Sequence, residues 1–131
     1  MHHKNLLYSI LLGIILLSCC GCELLLVGAG GGAGAGTVAY AKGRLKSTEE
    51  ASLDKTWEAA QKAMDDLEFF VTSKQKDALS AKLIARGAND KKVEIDIKKI
   101  SESLTEVKIR VGIFGDESAS RLILDKLKKH L

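Results

Sequence analysis

The run Lys92-Val93-Glu94-Ile95-Asp96-Ile97-Lys98-Lys99-Ile100, the link Ser101-Glu102-Ser103 and the run Leu104-Thr105-Glu106-Val107-Lys108-Ile109-Arg110-Val111-Gly112-Ile113-Phe114 alternate apolar with charged residues. Successive side chains of a strand point to opposite faces, so the pattern predicts two strands sharing one apolar and one charged face. A link this short cannot make a parallel crossover, so the two strands pair antiparallel.

Outward from this pair, Ala78 to Arg86 alternates in the same way, with Leu79, Ala81, Leu83 and Ala85 on the apolar side. Gly87-Ala88-Asn89-Asp90 supplies the turn chemistry that joins it to Lys92. Phe69 to Lys76 reads as one more strand. Ahead of it, Ser52 can cap a helix in which Leu53, Trp57, Ala60, Met64 and Leu67 recur at helical spacing, while Asp54, Glu58, Lys62 and Asp65 fall on the solvated side. Tyr40 to Glu50 reads as a single first strand with a weak point at Gly43. At the other end, Ala119, Leu122, Ile123, Leu127 and Leu131 form a helical stripe, with Asp116 or Ser118 as its cap and Lys126, Lys128 and Lys129 at the negative end of its dipole. The expected fold is α+β in two layers, an antiparallel sheet of four to five strands with two helices on one face, in the order strand, helix, four strands, helix.

With 131 residues there is room for one domain and one core. All 17 acidic residues and all but one of the 20 basic ones lie at or after Glu23, which leaves that part nearly balanced in charge. Such a balance, with aromatic residues at only 5%, argues against nucleic acid as a partner. The three cysteines are Cys19, Cys20 and Cys22, so no disulfide framework holds the domain. Histidine occurs only at His2, His3 and His130.

The first residues combine Lys4 with an apolar run from Leu6 to Leu17, shorter than the roughly 20 residues that span a bilayer. Ser18-Cys19-Cys20-Gly21-Cys22 follows, and this is the layout of an export signal that ends at a lipid-accepting cysteine. Cys22 has Gly21 before it, whereas Cys19 has Ser18 before it and Leu16 three residues ahead, so both satisfy part of the pattern. A redox Cys-x-x-Cys pair would need a thioredoxin-like setting, and a metal site would need further ligands. Between Leu24 and Ala41 the chain is apolar and small, with Gly28, Gly32 and Gly36 at intervals of four. That spacing suits either a helix packed in a membrane or a flexible spacer, and the Gly-x-Gly-x-x-Gly registers within it carry no specificity. The expected division is an export signal over residues 1–21, a lipid-anchored Gly/Ala-rich segment over 22–38 and the α+β domain over 39–131.

Gly21-Cys22, the Gly/Ala run from Leu24 to Gly36, Tyr40-Ala41-Lys42-Gly43-Arg44-Leu45, the helix with Trp57, and Ile109-Arg110-Val111-Gly112-Ile113-Phe114-Gly115 together resemble an uncharacterised family of short bacterial envelope lipoproteins. The resemblance covers nearly the whole chain and implies Cys22 as the lipidated residue, because in the family pattern the Gly/Ala run starts soon after that cysteine. It implies no activity. Cys19 replaces the usual Leu and is the departure from the pattern.

Catalysis needs a nucleophile or base beside its partners, and beyond Cys22 the chain has neither thiol nor any histidine but His130. The pairs Glu49-Glu50, Asp65-Asp66 and Asp116-Glu117 read as solvated ends or dipole partners. The expectation is therefore a non-enzymatic chain without metal or cofactor. Arg110 on the charged face, with Gly112 beside it, is the candidate contact for a carboxylate or phosphate of a partner. The structural alternative pairs Arg110 with Glu94 or Asp96 across the strands and gives Gly112 and Gly115 to a bulge and a turn. On the functional side the expectation is a binding or assembly module anchored by lipid at the periplasmic face, with the membrane and an envelope protein as partners. Glu23 rather than Asp after Cys22 does not favour retention at the inner membrane, and the outer membrane is the expected location. Two alternatives are a carrier of a small amphiphile, held near Leu83, Ile95, Ile109 and Trp57, and a hydrolase with a carboxylate site.

Overall fold

The computed structural model describes residues 37–131, which fall within one compact unit, residues 34–131. The export signal, Cys19, Cys22 and nearly all of the Gly/Ala segment lie outside the described residues. The elements in order are β1 (Val38–Ala41), β2 (Arg44–Glu49), α1 (Leu53–Asp66), β3 (Phe70–Lys76), β4 (Ser80–Arg86), β5 (Lys92–Ser101), β6 (Leu104–Val111) and α2 (Glu117–Lys128).

The class is α+β, and the sheet has six strands rather than four to five. The difference lies in Tyr40 to Glu50, which is part of a hairpin and not one strand: Ala41 pairs with Arg44, and Lys42 and Gly43 turn the chain with φ of 53° and 74°. Two successive positive φ values match the twist of flanking strands, which is why two-residue hairpin turns adopt them and why Gly suits the second position. Gly43 is the turn itself.

Strand order is β1-β2-β6-β5-β4-β3, with every neighbouring pair antiparallel. The strands β3 to β6 form the expected meander, and β2 closes on the last of them with Leu45 opposite Ile109. Between β2 and β3, α1 carries the chain across the apolar face to the far edge of the sheet.

Leu83, Ile95, Ile97, Val107 and Ile109 supply the sheet side of the core. Ala59, Ala60, Ala63 and Met64 of α1 and Ile123, Leu124 and Leu127 of α2 supply the helix side. The alanines let α1 lie close over the large β-branched residues beneath it. Trp57 packs at the margin, half-buried. Expected core positions differ at Leu79 and Leu122, and at Ile113 beyond the end of β6. Leu79 precedes β4 and is exposed, and Leu122 is 52% exposed because the buried stripe of α2 runs through Ser120, Ile123, Leu124 and Leu127.

Caps fix both helix starts. Ser52 accepts a hydrogen bond from Lys55 N at 3.2 Å, and Asp116, not Ser118, accepts from Ala119 N at 3.0 Å. Under the start of α1, the hydroxyls of Thr56 and Thr105 lie 2.8 Å apart. Ser52 O is 2.9 Å from Thr56 Oγ1 and Ala51 O is 2.9 Å from Thr105 Oγ1, so this small polar cluster ties α1 to β6 inside an apolar core. Among the described residues, no helix is long and apolar enough to cross a membrane.

Candidate functional site

The face of the sheet away from the helices carries the charged half of each alternating run. Arg44 reaches over β6 from β2 to Asp96 at 3.1 Å and Glu94 at 3.8 Å. Lys82 approaches Glu94 at 2.9 Å and Asp96 at 3.7 Å, and Lys92 lies 3.4 Å from Glu94. The hydrogen bond from Lys82 holds the Glu94 carboxyl below its ordinary range and, reciprocally, raises the lysine. Glu106 sits between Lys46 at 3.0 Å and Lys108 at 3.2 Å. Burial would raise its carboxyl, but the hydrogen bonds from the two lysines outweigh that and lower it.

Arg110 lies on this face as expected, opposite Glu94 in register. The expected ion pair to Glu94 or Asp96 is not made, because those carboxylates are already engaged by Arg44, Lys82 and Lys92. Its guanidinium turns along its own chain instead and donates to the carbonyl oxygen of Ile113. Among the described residues Arg110 has no acidic partner.

That hydrogen bond belongs to a turn. Strand β6 ends at Val111, not Phe114, and Gly112 and Gly115 take φ of 74° and 87°. A methyl on Gly112 would meet only the Lys91 side chain at 3.7 Å, so its backbone conformation, rather than a close approach, calls for glycine there. Gly115 is the close approach: a methyl would collide with the backbone of Gly43 and with the Tyr40 hydroxyl at 2.6 Å. From the other side, a methyl on Gly43 would stand 2.6 Å from the carbonyl oxygen of Phe114. The β1–β2 hairpin turn and the β6–α2 turn are thus packed backbone to backbone. Between the two glycines of the second turn, Ile113 and Phe114 project into solvent, 80% and 90% exposed. Ile113 therefore does not continue the apolar face of β6, as its alternation predicted.

Beside this turn opens a groove of about 540 Å³, lined by Arg110, Gly112, Ile113 and Phe114 together with Arg86 and Lys92. At its rim Lys91 reaches Asp116 at 3.1 Å. The Asp116 carboxyl is held below its usual range by the backbone N–H of Ala119 and by Lys91, and it joins the β4–β5 turn to the start of α2.

The segments that meet here, Tyr40 to Leu45 and Ile109 to Gly115, also carry the sequence resemblance. A family model described as a protein of unknown function, DUF3568, matches residues 5–130. The chain belongs to the DUF3568 family. No curated protein matches it.

In this DUF3568 domain the two candidate contact residues, Arg110 and Gly112, share the groove. Sequence reading missed Arg86, Lys92, Ile113 and Phe114. The alternation places Arg86, Lys92 and Arg110 on one face, a signal that could have grouped them, whereas the outward turn of Ile113 depends on two positive φ angles that periodicity does not carry. The three carboxylate pairs do not converge on the groove as a set: Glu49 accepts from Ser47 Oγ, Asp66 meets His130 at 2.6 Å, and Asp116 caps α2. Among the described residues, no group of three or more His, Cys, Asp or Glu side chains could hold a metal ion. Leu83, Ile95 and Ile109 are fully buried in the continuous core.

Proposed function

We propose that this DUF3568 protein is a bacterial cell-envelope lipoprotein, lipidated at Cys22, whose α+β domain is a binding or assembly module rather than an enzyme. The carrying observation is the order of residues Lys4 to Cys22: a basic start, an apolar run too short to span, and Gly21-Cys22 at its end. Each buried methylene of an acyl chain contributes about 0.8 kcal/mol, and two or more chains give stable attachment without a spanning helix. A domain held in this way needs only to present a surface. The groove beside Arg110, with Ile113 and Phe114 at its rim, is the feature that supports a presenting role. Glu23 after the cysteine does not favour inner-membrane retention, and the proposed location is the outer membrane with the domain facing the periplasm.

The test is expression of the tagged full chain with Cys22→Ala and Cys19→Ala variants, read by intact mass and membrane fractionation. Cys22→Ala is expected to accumulate unprocessed and unacylated, while Cys19→Ala matures normally. A wild-type mature terminus without acyl groups, or processing untouched by both substitutions, would refute the lipoprotein reading. Crosslinking in the same cells identifies the envelope partner.

A further inference from the structure

We infer that the Ile113–Phe114 turn is a contact for the surface of an anionic phospholipid bilayer, an inference that deepens the lipoprotein reading and rests on it for the local concentration of domain at the membrane. A single exposed apolar residue is ordinary on a protein surface. Here two neighbours are the most exposed large apolar side chains among the described residues, at 80% and 90%. They are also held in place. Gly112 and Gly115 turn the backbone, Arg110 grips the carbonyl of Ile113, and Gly43 packs against the carbonyl of Phe114 with the Tyr40 hydroxyl close by. A contact already fixed in position loses little conformational entropy when it docks, which favours weak but specific seating.

Charge selects the occupant. Among the described residues, neither Arg110 nor Lys42 forms an ion pair; Arg110 is bonded to the tip, and Lys42 is the chain neighbour of the glycine packed on it. Lys91 and Arg86, by contrast, are matched by Asp116 at 3.1 Å and Asp90 at 3.7 Å. An aromatic and an aliphatic side chain beside the unmatched Arg110, in a groove where Arg86, Lys91, Lys92 and Arg110 outnumber Asp90 and Glu94, complement a layer of anionic headgroups over acyl chains. The preceding chain allows the approach. Fifteen residues, Glu23 to Thr37, separate the proposed lipid site from β1, and a chain of that length spans at most on the order of 50 Å, an upper limit that allows the tip to touch the bilayer. Tethering raises the effective concentration to the millimolar range, so a two-residue contact suffices.

The experiment uses the full chain, purified from membranes and reconstituted in vesicles of phosphatidylcholine alone or mixed with phosphatidylglycerol. Trp57, the only tryptophan, lies on α1 against the other face of the sheet and serves as the control. Trp57→Phe combined with Phe114→Trp places a single reporter on the tip, and Ile113→Trp in the same background provides a second. The expected result is quenching by brominated-chain phospholipid several-fold stronger at either tip reporter than at Trp57, dependent on phosphatidylglycerol and weakened by Arg110→Gln with Lys42→Gln. Unquenched tip reporters on a chain that still floats with the vesicles overturn the tip contact and leave the tether standing. Quenching that survives in a chain with Cys19, Cys20 and Cys22 replaced by Ser, and that no longer floats stably, supports the tip while removing the tether. A blue shift that follows protein concentration in the absence of lipid assigns the tip to a second copy and overturns the proposal.

Discussion

Gly43 and Gly115 lie backbone against backbone, one in the first hairpin and the other just before the last helix, and neither position has room for a methyl group. Both also take positive φ. Gly115→Ala and Gly43→Ala are each expected to cost about 2–4 kcal/mol, from strain at the left-handed position plus overpacking. Gly112→Ala, where the space is free, should cost only about 1–2 kcal/mol, the price of the positive φ. Urea denaturation checks the ranking, and equal losses at positions 112 and 115 would contradict it.

The Thr56–Thr105 pair gives a second prediction. Thr105→Val takes the side-chain donor from the Ala51 carbonyl inside the core and is expected to cost about 1–3 kcal/mol. Thr56→Val should cost less, because Thr105 keeps its own bond to Ala51. Thermal melts of the two single variants decide between this order and its reverse.

Strand alternation made the meander β3 to β6 legible from sequence, since Leu83, Ile95, Val107 and Ile109 all face the core. Helix starts were legible through Ser52 and Asp116, whose side chains close onto backbone N–H groups three residues on. The hairpin at Lys42-Gly43 was not, because one glycine inside an alternating run reads equally as a weak point and as a turn. The site was half legible. Arg110 and Gly112 could be named from their types and spacing, whereas the approach of Gly43 to Gly115 is a tertiary relation that no local pattern encodes.

The phase of α2 can be checked directly. Leu122 is 52% exposed and Ile123 is 1% exposed, although both sat on the sequence-derived stripe. Leu122→Ser is expected to change stability by about 0.5 kcal/mol or less, and Ile123→Ala to cost about 2–5 kcal/mol. A larger loss at position 122 than at 123 would place the helix a step out of phase.

The charged face sets a pH dependence at both ends of the scale. Glu94 and Glu106 have carboxyls lowered in the folded state, so their stabilisation is present above the unfolded value of about 4.3 and fades as pH falls through the folded values. Lys82 is raised, so its contribution is complete below about 10.4 and is lost as pH rises through its higher folded value. The contribution of these three groups to the melting temperature should therefore be flat between about pH 5 and pH 10 and decline on both sides. Lys82→Gln is expected to lower the plateau and flatten both declines, and acid and alkaline limbs unchanged in this variant would show that the network does not set them.

Strand β2 finds its partner only in β6, since Leu45 pairs with Ile109 across a chain that has meanwhile traversed a helix and three other strands. Loop closure over such a separation comes late, so the β1–β2 hairpin, local in itself, keeps the other edge of β2 unpaired until β6 has been made. A polypeptide of this topology postpones completing its sheet until nearly its whole length is available.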